Sequence, residues 1–63
     1  MDNKEIKIYF DKYKAGVDQL VALAQKVAIE KKDMRLMKMA EVRKNNVIEL
    51  HKFLSVNYKG WSE

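Results

Sequence analysis

The sequence predicts an all-α protein: an antiparallel hairpin of two long helices that dimerises into a four-helix bundle. Three observations carry that prediction. Proline is absent and glycine occurs only at positions 16 and 60, so little interrupts regular backbone. Apolar residues recur at three- and four-residue spacing through two long stretches. The phase of that recurrence then jumps by two residues near the middle of the chain. A continuous coiled coil absorbs insertions of three or four residues, not two, so the chain is expected to turn there.

The first helix is expected over about residues 3–31, the turn over about 30–33 and the second helix over about 34–59, in one hairpin domain spanning the 63 residues. Asp2 has the character of an N-cap, with Glu5 three residues on as in a capping box. Met1 and Ile6 then stand at the two positions of a hydrophobic staple. Along the first helix Ile6, Tyr13, Leu20 and Val27 recur every seven residues, with Tyr9, Phe10, Val17, Leu23 and Ala24 beside them. Gly16 falls on a seam position. It marks either a close helix contact, a tolerated defect, or a break that divides the arm.

The second stripe reads Leu36, Met39, Ala40, Val47, Leu50, Phe53, Leu54 and Trp61. Continuing the first register would place Met34, Glu41, Ile48 and Ser55 on the seam, which locates the turn between Glu30 and Asp33. Lys31 and Lys32 suit a helix C-terminus, where cations oppose the negative end of the dipole. Asp33 suits the next N-cap. No Gly or Pro marks the turn, so one unbroken helix in a long dimer is the alternative. Near the end, Gly60 is expected as the left-handed residue of a C-terminal stop, with Trp61 folding back on Val56 and capping the open end of the hairpin. Arg43 and Asn46 fall on seam positions. The arginine is expected to snorkel at the edge, and the asparagine to pair and set register.

Each arm is expected to be about 26 residues and about 40 Å long. A chain below roughly 70–80 residues usually needs a disulfide, a metal or a partner copy to be stable. There is no cysteine and a single histidine, which leaves a second copy. Val21, Ala28, Met34, Met37 and Ile48 widen the apolar face beyond a two-stranded seam, which also favours a symmetric pair of hairpins. The expected core and dimer residues are Ile6, Phe10, Tyr13, Val17, Leu20, Ala24, Val27, Leu36, Met39, Val47, Leu50 and Leu54.

Catalytic chemistry needs a constellation, and the sequence offers none. His51 has Glu49 two residues away, which points elsewhere on a helix. No metal-ligand spacing, Gly-rich phosphate loop or nucleophile-and-base motif is present, so neither enzyme activity, nor a cofactor, nor a metal is expected. His51 reads as a helix-surface residue at the margin of the core.

Charge points to interaction. Between Lys26 and Lys44 seven basic residues stand against three acidic ones, which accounts for the whole net charge of +4. Lys31, Arg35 and Lys38 are expected on one helical face. Met34, Met37 and Met39 interleave with them, and methionines serve adaptable binding surfaces as well as core gaps. The candidate partner-binding residues are therefore Lys31, Lys32, Met34, Arg35, Met37 and Lys38. The leading expectation is a small regulatory or inhibitory protein that binds a protein target with an acidic surface. A nucleic-acid-binding protein using the basic corner is the competing reading, and a structural or assembly component a third. No apolar run approaches the roughly 18 residues of a membrane span, and Met1 to Glu5 lacks the pattern of a signal peptide. A cytoplasmic protein without membrane contact is expected. In size and expected architecture the chain resembles the small helical-hairpin regulators encoded by phages and plasmids, such as the copy-number protein Rop. That likeness rests on no shared residue motif and implies no functional residue.

Overall fold

Two helices pack against each other as a hairpin in the computed structural model, which describes residues 2–62. Helix α1 runs Asn3–Lys31 and helix α2 runs Arg35–Asn57. The chain therefore turns near its middle, and the single-helix alternative is excluded. Asp2 is the N-cap of α1, its carboxylate accepting from the Glu5 backbone N–H at 2.9 Å. The Met1 half of the expected staple lies outside the described residues. Helix α1 passes through Gly16 without interruption. Gly16 is exposed, and a Cβ built on it meets nothing within 4 Å. Within the hairpin it is thus neither a break nor a site of close helix approach.

The turn is made without glycine. Lys32 takes the left-handed conformation (φ 53°, ψ 35°) and ends α1. Asp33 is not itself the N-cap of α2. Met34 is, its carbonyl accepting from the Lys38 N–H at 3.1 Å. The Asp33 carboxylate acts from one residue further out, accepting from the Arg35 N–H at 3.0 Å. The arms are unequal, 29 and 23 residues, and α2 stops at Asn57 rather than near residue 59.

Beyond Asn57 the chain folds back over the open end. Tyr58 to Trp61 forms a four-residue turn closed by the Trp61 N–H on the Tyr58 carbonyl at 3.2 Å. Its third residue is Gly60 at φ 81°, a conformation that glycine adopts without steric cost. The Asn3 amide holds this tail by donating to the Lys59 carbonyl at 2.9 Å. Trp61 is buried to 3% exposure, but not on Val56, which is exposed. Its ring meets Phe10 edge-on at 4.8 Å between centroids and lies 5.3 Å from His51. The helix ends two residues too early for the expected contact, so the turn carries the indole across to α1 instead.

The core tapers. At the open end Ile6, Phe10, Leu54 and Trp61 are packed together, with Val17 and Val47 continuing the cluster toward the middle. Near the corner the buried residues are Ala24 and Ala40, whose small side chains let the helices approach closely enough for a three-residue turn. The buried set recurs every seven residues: Phe10, Val17 and Ala24 on α1, and Ala40, Val47, Leu54 and Trp61 on the second arm. Tyr13, Leu20, Val27, Leu36 and Leu50 are half-buried at its edge. Met39 is 56% exposed on the hairpin, and Asn46 lies exposed beside the seam rather than on it.

Candidate interaction surfaces

Two surfaces stand out, one at the corner and one along a side of the hairpin. At the corner, Asp33 grips Arg35 through side-chain bonds as well as the backbone. The Arg35 Nη2 donates to Oδ2 at 2.8 Å, and Nε donates to Oδ1 at 3.1 Å. These side-chain hydrogen bonds, then the backbone bond, hold the Asp33 carboxyl at about 2, below its usual 3.8, and raise the arginine in turn. The pairing leaves the Arg35 side chain 91% exposed. It fixes the direction of the guanidinium without burying it.

The expected single basic face does not form. Arg35 and Lys38 share a face of α2, but Lys31 ends α1 on the other side of the turn. Lys31, Lys32 and Lys38 are exposed, Met34 is exposed and Met37 is half-buried. The corner segment thus mixes exposed lysines with an accessible methionine.

The second surface is apolar. At the open end a cleft of about 480 Å³ has Ile6, Phe10 and Leu54 as its floor. Tyr9 and Tyr13 wall it from α1, and Leu50, Phe53 and Tyr58 from the other arm. Tyr9 and Phe53 are 63% and 55% exposed despite their size. The opposite side of the same end has a smaller hollow of about 290 Å³, lined by Phe10, Val47 and Ile48 and edged by Lys14, His51 and Lys52. One side is thus walled by apolar and aromatic side chains, whereas the other mixes Ile48 with lysines and His51. Tyr9, Leu23, Met39 and Phe53, read from spacing as part of the stripe, all stand exposed on the hairpin.

Among the described residues no group of three His, Asp or Glu side chains comes together, and no buried side-chain polar atom lacks a partner. His51 is exposed, with its ring edge-on to Trp61 and tilted against Phe10. Among those residues, too, no helix is long and apolar enough to cross a membrane. Fold and surface together define a helical hairpin that presents an apolar side and a basic, methionine-bearing corner. No protein family, curated protein or solved structure matches the chain.

Proposed function

We propose that the chain is a small non-enzymatic regulatory or inhibitory protein, homodimeric, that acts by binding a protein partner through its hairpin corner. The observation behind this reading is that exposed Met34 and half-buried Met37 share the corner segment with exposed Lys31, Lys32, Arg35 and Lys38. A polarizable apolar centre with a cationic rim suits a protein surface that offers an apolar pocket edged by carboxylates. The net charge of +4 between Lys26 and Lys44 favours a second reading, a phosphate backbone. Two features weigh against it. Asp33 already holds one guanidinium of the corner, and an exposed methionine gains nothing against phosphate.

The two readings separate by substitution. The tagged protein is used to capture partners from its source cells, with and without nuclease, and as two double variants. Protein binding predicts capture that resists nuclease, is lost with Met34→Ala and Met37→Ala together, and slows in association at high salt. Binding to duplex DNA that survives the methionine changes, is lost with Arg35→Gln and Lys38→Gln, and weakens with salt at a log–log slope of about −0.9 per phosphate refutes it.

A further inference from the structure

We infer that the apolar side of the hairpin is covered by a second copy of the chain, with the two-fold axis crossing both helices at Gly16 and Asn46. This specifies a pairing that the dimeric reading above leaves open, and it stands or falls without the corner's partner.

The surface is built in rungs. The buried seam residues recur every seven positions on both arms. The residue just before each seam position flanks the seam, and in antiparallel helices equivalent flanks lie on the same side. The cleft that brings Tyr9 beside Phe53 fixes which side that is. Three rungs follow by spacing: Tyr9 with Phe53, Gly16 with Asn46, and Leu23 with Met39. Successive rungs lie about 10 Å apart along the helices. The middle rung falls at the centre of both Asn3–Lys31 and Arg35–Asn57.

Two hairpins laid face to face can be related by an axis along the helices or by one across them. An axis across them at the middle rung puts Tyr9 over Leu23 and Phe53 over Met39 of the second copy. Rigid aromatic rings then meet adaptable aliphatic chains at both ends, with methionine sulfur against a ring. At the centre Gly16 lies over Gly16, where the absence of a side chain permits close approach. Asn46 lies over Asn46, where each amide can both donate and accept. Arg43, also on this side and exposed, can lay its stem on the face and its head at the rim.

An axis along the helices does worse on each count. It stacks aromatic rung on aromatic rung and leaves the Leu23/Met39 end thin. It faces Asn46 with a glycine that has no side chain to pair with it. It also brings together two corners that each hold the chain's whole excess of +4, whereas the crossing axis sends them to opposite ends. The area suffices as well. The hairpin measures 43 × 17 × 15 Å, and a broad face of that size approaches the roughly 800 Å² per partner of a standard interface.

Cysteine cross-linking tests the arrangement, because the chain has no cysteine of its own. Asn46→Cys should oxidise to a covalent dimer, while Asp18→Cys, on the opposite side, should not. Mixed Tyr9→Cys and Leu23→Cys chains should cross-link to each other faster than Tyr9→Cys chains do to Phe53→Cys chains. In sedimentation the wild type should run at twice its 7.4 kDa. Leu23→Glu with Phe53→Glu, both exposed in the hairpin, should reduce it to the monomer. Wild type that stays monomeric at high micromolar concentration overturns the proposal. So does cross-linking through Asp18→Cys in place of Asn46→Cys, and so does preferential pairing of Tyr9→Cys with Phe53→Cys. None of these measurements involves the corner, so loss of partner capture leaves them unaffected.

Discussion

Removing the Trp61 side chain should cost this protein most of its stability. The indole is 3% exposed and lies against Phe10 with ring centroids 4.8 Å apart at an interplanar angle of 70°. Truncating a buried Trp or Phe to Ala costs about 3–5 kcal/mol, from lost transfer free energy and the cavity left behind. A chain of 63 residues has roughly 3–9 kcal/mol in all, at about 0.05–0.15 kcal/mol per residue. Trp61→Ala should therefore leave a marginal or unfolded chain. The assay is urea denaturation followed by far-UV circular dichroism, at fixed protein concentration. Deleting residues 58–63 should cost a similar amount, because the Tyr58–Trp61 turn exists to deliver the indole. Val56→Ala should change stability by less than about 0.5 kcal/mol, as exposed sites do. A cycle of Phe10→Leu and Trp61→Leu should show coupling of about 0.5–1.5 kcal/mol for the edge-on pair. If Trp61→Ala costs under about 1 kcal/mol, or Val56→Ala costs as much, the tail does not close the core as described.

Two further tests concern the backbone and the corner. Gly16→Ala should stabilise the isolated helix by up to about 1 kcal/mol, near 4–8 °C in Tm for a domain of this size. That gain should shrink as concentration rises and the added methyl meets its symmetry mate; no gain at any concentration would refute the open-surface placement. Lys32→Gly should likewise add about 1 kcal/mol by relieving the left-handed residue, and a loss in thermal melts would contradict that backbone geometry. The Asp33 carboxyl should titrate near pH 2 by NMR, below its usual 3.8. A depressed carboxylate stabilises the fold above its unfolded pKa, and that contribution is lost as pH falls from about 4 toward 2. Arg35→Gln should return the titration to the ordinary range; an unchanged value would show that the fork does not cause the shift.

Much of the fold was legible because the signals were local. The Asp2 cap, the helix through Gly16 and the turn before Met34 follow from capping chemistry and a phase jump. The route of the tail was not legible. Whether Trp61 reaches back to Val56 or across to Phe10 depends on where α2 stops, and no residue between Asn57 and Lys59 announces that stop at sequence level. The shared face expected for Lys31, Arg35 and Lys38 failed for a related reason. Three- and four-residue spacing has meaning only within one helix, and the turn falls between the first of these residues and the other two. The Asp33–Arg35 fork was equally hidden, since a carboxylate two residues from a guanidinium pairs with it only in the right turn geometry.

The stripe residues that the hairpin leaves exposed are informative in a different way. Periodicity put Tyr9, Leu23, Met39 and Phe53 on the stripe, and the hairpin leaves all four more than half exposed. Random error would scatter such residues around both helices. Instead they fall on the flank of the seam that faces one side, two from each arm and at matching levels. The apolar stripe is therefore centred off the contact between α1 and α2, turned toward the side that no part of the chain covers. A sequence shaped solely to hold two helices together would centre its stripe on their contact. This one is apolar across a wider arc, as helices are when they have a second neighbour to bury against. The polar interruption of that arc, Gly16 and Asn46, sits near mid-length, where the proposed two-fold axis would turn it into a self-matching pair instead of a defect.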